Sequence, residues 1–211
     1  MRKEKPIQRY NALERINHWI VAFCFMLAAI SGLGFFFPSF NWLMNIFGTP
    51  QLARILHPFV GVVMFVAFLR MFQRYWRHNL INRDDILWAK NIHRVTLKEE
   101  FGDTGRYNFG QKMVFWLAIF SLLLLLASGV VIWRPYFADA FSIPMIRIAL
   151  LVHSVSAMVL ILTIMIHVYA AFWVKGTITA MVEGWVSAAW AKKHHPRWYR
   201  EQRQKQQEEE P

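Results

Sequence analysis

The stretch from Ile148 to Val174, IALLVHSVSAMVLILTIMIHVYAAFWV, is apolar over more than the roughly 20 residues that cross a bilayer, yet it holds two histidines, His153 and His167. In one helix, these two are ~21 Å apart along the axis and only ~40° apart around it. They share one helical face at two depths of a membrane. An ionisable ring within lipid is costly and needs a partner inside a bundle, so this helix requires neighbours. Three further stretches have the same character: His18 to Phe37, Leu56 to Trp76 and Met113 to Trp133. His18 opens the first of them, and His57 sits at the start of the second.

Of the 211 residues, 56% are hydrophobic and 16% aromatic, too apolar for an ordinary soluble domain of this length. The net charge of +11 would suit nucleic-acid binding only if the basic residues gathered on one soluble surface. Instead they flank the apolar runs. Five Lys and Arg precede His18, eight lie from Arg74 to Lys112 and seven from Lys175 onward, against one between Pro38 and Ile55 and two from Arg134 to Arg147. This asymmetry argues against nucleic acid as a partner and predicts both termini and the middle loop on the cytoplasmic side. Trp19, Trp42, Trp76, Trp133 and Trp173 fall near span ends, where indoles favour the headgroup region. The first apolar run is longer than a signal-peptide core and has no small-x-small cleavage site, so it is predicted to stay as the first helix. Cys24 is the single cysteine, which excludes an internal disulfide, a CxxCH haem attachment and a thiolate-held iron–sulfur cluster.

The pattern predicts an all-α membrane protein, one membrane-integral domain over residues 1–211, with four transmembrane helices at about 12–37, 50–76, 111–133 and 144–174. Asn11 with Glu14 reads as an N-cap and capping-box acid, Thr49-Pro50 and Pro144 as helix starts, and Pro58 as a kink beside His57. The segment 176–200 mixes aliphatics and tryptophans with basic residues and is predicted to lie along the cytoplasmic interface. The low-complexity tail after Tyr199 is predicted to fray. Asn108-Phe109-Gly110-Gln111 is a turn-forming cluster just before the third span.

The predicted topology sends the fourth helix from outside to inside, so His153 lies near the outer leaflet and His167 near the inner one. His57 enters from outside about two turns after Pro50, and His18 from inside about two turns after Asn11. Each half of the membrane then receives two histidines from different helices: His57 with His153 outside, His18 with His167 inside. Two imidazoles approaching from opposite sides suit the axial positions of a haem iron, giving a dihaem bundle with two non-covalent b haems. Zinc would want four ligands, or an open site with a base, and no HExxH is present. Small residues are expected where a porphyrin edge passes a helix: Gly32, 14 residues after His18, with Gly61 and Gly129 as further candidates, each of which simple close helix packing would also explain. Arg70 is placed to pair with a haem propionate or to snorkel. His78, His93, His194 and His195 fall in loops or the interfacial segment, where a solvated or lipid-facing role is expected.

The strings ERINHW (Glu14 to Trp19), GTPQLARILHPFVG (Gly48 to Gly61), GRYNFGQK (Gly105 to Lys112), SGVVIWRPYF (Ser128 to Phe137), IHVYAAFWVKG (Ile166 to Gly176) and WAKKHHPRWYR (Trp190 to Arg200) resemble the gamma, cytochrome b subunits of membrane-bound respiratory formate dehydrogenases. The resemblance covers nearly the whole chain and is nearer to the aerobically expressed form than to the nitrate-induced one. It implies a multi-pass protein of the bacterial inner membrane and the same two ligand pairs. It also implies an iron–sulfur beta subunit and a molybdenum- or tungsten-containing alpha subunit that oxidises formate. No catalytic residue for formate oxidation is expected in this chain. The resemblance further implies a site for menaquinone or ubiquinone, built from Asn108, Gly110 and His167, in a respiratory chain in which higher oligomers of the heterotrimer form. Asp103, Lys112 and Glu183 are candidates for proton delivery there, or members of a solvated face. A cytochrome b subunit of another respiratory dehydrogenase or hydrogenase would share the plan, and a haem-free membrane anchor would lack a Soret band.

Overall fold

The structure is a computed structural model that describes residues 5–91 and 103–209; His93 lies outside the described residues. Helix α1 (Ala12–Phe36) starts at a reciprocal capping box, in which Asn11 N donates to Glu14 Oε2 and Glu14 N to Asn11 Oδ1, both at 2.9 Å. A 3-10 segment, Pro38–Phe47, leads to α2 (Pro50–Tyr75), whose first turn is capped by the Thr49 hydroxyl accepting from Leu52 N at 3.1 Å. Pro58 lies inside α2 and does not end it. A short 3-10 turn and α3 (Arg83–Lys90) follow, then α4 (Phe109–Ile132) and α5 (Ile143–Trp173).

Among the described residues, four helices are long and apolar enough to cross a membrane: Ala12–Phe36, Pro50–Asn79, Phe109–Ile132 and Ile143–Trp173. Their large side chains face outward, with Phe23, Leu151 and Phe172 all more exposed than buried. In water such a surface would aggregate, whereas in a bilayer it is the lipid-facing side. The buried positions of these helices are largely small or hydroxylic, including Ser31, Ala118, Ser128, Ala149, Ser156 and Thr163, the residue types that let membrane helices approach closely. The chain is a multi-pass, all-α membrane protein.

Cα packing divides the chain into two compact units. The span unit holds Ile16–Arg74 and Leu117–Ile166. Within it, Asn17 Nδ2 donates to the Ala67 carbonyl at 2.9 Å, tying α1 to α2.

The end unit holds the N-terminal segment to Arg15, Tyr75–Trp116 and everything from His167 onward. Here the C-terminal segment folds into α6 (Thr177–Glu183), a short strand β2 (Trp185–Val186), α7 (Ala188–His194) and α8 (Pro196–Glu209). Strand β1 (Ile7–Gln8) pairs antiparallel with β2, Ile7 opposite Val186. The pairing is possible because Gly184 sits at φ +91°, where a Cβ would fall 2.6 Å from the Tyr10 carbonyl oxygen. Ile7, Ala180, Val186, Ala191 and Trp198 form a core of their own. The segment 176–200 is thus a folded piece with buried residues of its own. The tail expected to fray after Tyr199 is helical to Glu209, and α8 is held by Arg197 to Asp84 at 2.9 Å and Arg200 to Asp103 at 2.6 Å.

At the centre of the end unit, Arg9 is 4% exposed and His195 2%. Arg9 Nη2 donates to the Arg106 carbonyl at 2.9 Å and to His195 Nε2 at 3.2 Å, while Arg106 Nη2 donates to the Arg9 carbonyl at 2.8 Å. Because Arg can only donate, His195 Nε2 accepts, and its Nδ1–H donates to the Gly105 carbonyl at 2.8 Å. Burial, with the Arg9 charge adding to it, holds the His195 imidazole well below its ordinary pKa. This corrects the solvated role expected for His195, which is buried and joins three distant segments.

Candidate cofactor site

In the span unit, α2 and α5 place His57 and His153 in one cavity of about 1000 Å³. Their ring centres are 6.3 Å apart, with planes inclined at 58°. Metal–imidazole bonds are about 2 Å long, and each nitrogen lies about 1.2 Å from its ring centre. Nε2 atoms turned toward each other, each about 2 Å from a shared ion, would put the ring centres on the order of 6.4 Å apart, close to the 6.3 Å found. Each ring's other nitrogen is already engaged: His57 Nδ1 lies 2.7 Å from Ser31 Oγ, and His153 Nδ1 lies 3.0 Å from Ser128 Oγ. That leaves both Nε2 atoms for a metal.

Among the described residues, no group of three or more His, Cys, Asp or Glu is arranged to hold an ion. Two protein ligands suit an iron whose remaining positions a porphyrin fills. The glycines leave room beside the same rings. A Cβ at Gly32 would lie 3.6 Å from His57 Cε1 and one at Gly129 3.4 Å from His153 Cε1, while one at Gly61 would meet nothing within 4 Å and point into open cavity space. The walls are mainly apolar, from residues such as Phe25, Leu122, Leu126 and Met158. Arg54 and Arg134 are the cavity's two cationic lining residues, a match for the two carboxylates that a haem carries. The residues present fit a b-type haem.

His18 belongs to the span unit, half-buried and edge-on to Trp19 at 5.5 Å, and His167, also half-buried, belongs to the end unit. In the end unit, Asn108 and Gln111 form a capping box for α4: Gln111 N donates to Asn108 Oδ1 at 2.9 Å, and Asn108 N to Gln111 Oε1 at 3.0 Å. Asn108 Nδ2 has no hydrogen-bond partner among the described residues. A Cβ at Gly110 would lie 3.5 Å from both Asn108 Oδ1 and the Trp88 ring. Lys112 is buried and ion-paired with Asp85 at 2.6 Å, so it does not lie on a solvated face; Asp103 is engaged by Arg200, and Glu183 is exposed. Arg70 is exposed and does not line the cavity.

Sequence reasoning missed Ser31, Ser128, Arg54 and Arg134. A signal for the serines was available: the dipeptide Ser-Gly occurs twice, at Ser31-Gly32 and Ser128-Gly129, each in a span that precedes a histidine-bearing one.

Four apolar helices, two of which face imidazoles across an apolar cavity, define a membrane cytochrome b. The chain belongs to the prokaryotic cytochrome b561 family, whose profile matches residues 9–184. It is similar to the formate dehydrogenase cytochrome b556(fdo) subunit of Escherichia coli strain K12, with 74% identity covering 96% of each chain. It is 51% identical to the nitrate-inducible formate dehydrogenase cytochrome b556(Fdn) subunit of the same strain, over 95% of this chain and 94% of that one. With the formate dehydrogenase cytochrome b556 subunit of Haemophilus influenzae it shares 50% identity over 93% of this chain and 83% of the other. The higher identity to the fdo subunit agrees with the side of the family to which the sequence strings pointed.

Proposed function

We propose that the chain is the membrane-anchoring, dihaem cytochrome b subunit of a formate dehydrogenase, taking electrons from a periplasmic iron–sulfur subunit and passing them to quinone at the cytoplasmic side of the bacterial inner membrane. The observation that carries this reading is the facing pair His57 and His153, 6.3 Å apart in a cavity that fits haem. It gains from the 74% identity to a formate dehydrogenase cytochrome b556 subunit. His57 and His153 hold the outer haem, and Arg54 and Arg134 bind its propionates. His18 and His167 hold the inner haem, an assignment that rests on the helical spacing and on the family resemblance. The two haems supply one-electron transfer across the membrane.

On the cytoplasmic side, Asn108 keeps its side-chain oxygen on the α4 cap and turns its Nδ2 donor to a quinone carbonyl, with Gly110 and His167 completing the site. Both termini and the middle loop lie in the cytoplasm, by the distribution of Lys and Arg. Formate oxidation by the molybdenum- or tungsten-containing alpha subunit gives carbon dioxide, one proton and two electrons outside. Quinone, either menaquinone or ubiquinone, takes two electrons and two protons inside. Charge therefore crosses the membrane with no proton passing through the protein.

Purification in mild detergent tests the reading. The chain should bring down iron–sulfur and molybdenum- or tungsten-containing subunits and carry two acid-extractable b haems. His57→Ala combined with His153→Ala should leave one. Two haems surviving in the double variant, or hydrogenase subunits in the purified complex, would overturn it.

A further inference from the structure

The Ser-Gly pairs are one device used twice. Ser31 and His57 are 26 positions apart, on α1 and α2; Ser128 and His153 are 25 apart, on α4 and α5. Both serines are buried, Ser31 at 0% exposure and Ser128 at 5%. Ser31 Oγ lies 2.7 Å from His57 Nδ1 and 2.9 Å from the Leu27 carbonyl oxygen one turn back. Ser128 Oγ lies 3.0 Å from His153 Nδ1 and 2.6 Å from the Leu124 carbonyl oxygen.

A hydroxyl has one hydrogen, and a carbonyl can only accept. The hydroxyl therefore donates along its own helix, in the manner of serines within helices, and accepts from the imidazole. The consequence is a fixed tautomer: Nδ1 carries the hydrogen in each ring, and Nε2 presents its lone pair to the cavity. The following glycine clears the same ring, since a Cβ at Gly32 or Gly129 would already be in contact with Cε1.

We propose that Ser31 and Ser128 are the positioning residues of the outer haem, each locking the axial imidazole of the next span in its Nδ1–H form and fixing its rotation about the metal bond. This rests on the reading of His57 and His153 as the outer ligands. The two contacts differ in length, 2.7 Å between Ser31 Oγ and His57 Nδ1 against 3.0 Å between Ser128 Oγ and His153 Nδ1, so Ser31 holds its ring the more tightly.

The test uses the purified complex with its partner subunits and four variants: Ser31→Ala, Ser128→Ala, Ser31→Thr and His57→Ala. The readouts are haem content, the reduction equilibrium of the outer haem by spectroelectrochemistry, and its ferric low-spin electron paramagnetic resonance signal. A hydrogen-bonded Nδ1–H makes the imidazole a stronger donor to iron. Its loss in Ser31→Ala should shift the outer haem about tenfold toward the ferrous form and move its resonance signal, with a smaller change in Ser128→Ala. Ser31→Thr restores the hydroxyl and should behave as wild type. If Ser31→Ala loses the outer haem while Ser31→Thr keeps it, the positioning role also stands. An Ala variant with wild-type equilibrium and resonance signal would overturn the proposal. His57→Ala separates this failure from that of the ligand reading: two haems persisting there would remove the ligands themselves.

Discussion

Asn108 divides the functions of one amide. Its oxygen accepts from Gln111 N to start α4, and its nitrogen has no partner among the described residues. A leucine at this position would remove both functions and confuse a lost cap, worth about 1 kcal/mol, with a lost quinone contact. Asn108→Asp separates them, since a carboxylate still caps and suits a helix N-terminus but has no hydrogen to donate. With Asp in place, formate should still reduce both haems, while reoxidation by added quinone slows tenfold or more, as expected when a donor to the quinone is replaced by an acceptor. Normal reoxidation kinetics in an assembled Asn108→Asp complex would move the quinone site elsewhere. At this scale the facing of His57 and His153 was legible from the sequence, because helical rise fixes depth and depth pairs residues. Ser31 and Ser128 were not, because a serine within a membrane helix satisfies itself on its own backbone. Only the recurrence of Ser-Gly, at Ser31-Gly32 and Ser128-Gly129, hints that a ring from another helix will share its oxygen.

The four long helices were legible because lipid demands continuous apolar runs, and caps such as Asn11 with Glu14 mark their starts. What was hidden are the short elements whose partners are distant in the chain. Helix α3 is one of them. Its capping box joins Asn82 and Asp85, and Asp85 also takes a hydrogen bond from Lys112, in the first turn of α4, at 2.6 Å. The Lys112 ammonium donates in addition to the Leu80 carbonyl at 2.9 Å. Read alone, Lys112 is an ordinary basic residue at a span end; its partner lies 27 residues earlier and is equally buried. Removing one partner of a buried pair leaves an uncompensated charge, so Lys112→Met should destabilise the docking of α3 by about 3–5 kcal/mol. Trypsin cleavage at Arg83 and Lys90 should accelerate accordingly, and adding Asp85→Asn should restore part of the protection through non-additivity. If Lys112→Met leaves cleavage rates unchanged, the ion pair is not what holds this helix.

On the scale of the whole molecule, orientation and stability meet at His195. The end unit gathers the N-terminal segment, the middle loop and the C-terminal segment, whose many Lys and Arg are the ground for the proposed cytoplasmic orientation. Its buried centre is sensitive to protons. His195 accepts from Arg9 while neutral, and a proton on Nε2 would abolish that bond and set two cations against each other, with His194 adjoining. Above the ordinary histidine value of 6.5, native and unfolded chains both hold a neutral ring and stability does not depend on it. Below 6.5 the unfolded chain takes up a proton that the native form, with its lowered pKa, refuses. Stability of this unit therefore falls as pH falls, by up to about 1.4 kcal/mol per pH unit for one proton. His195→Gln stays neutral and should lose most of that dependence. In inverted vesicles, where the cytoplasmic face is outside, lowering the bath from about pH 7.5 to about 5.5 should expose the protein to proteolysis. With proteinase K, which cuts at both pH values, new cuts at the lower pH should gather around Trp198 and Tyr199. Right-side-out vesicles in the same bath should show none. Cleavage in right-side-out vesicles would reverse the orientation and with it the direction of charge movement, and an equal pH response in wild type and His195→Gln would show that the sensitivity lies in another group.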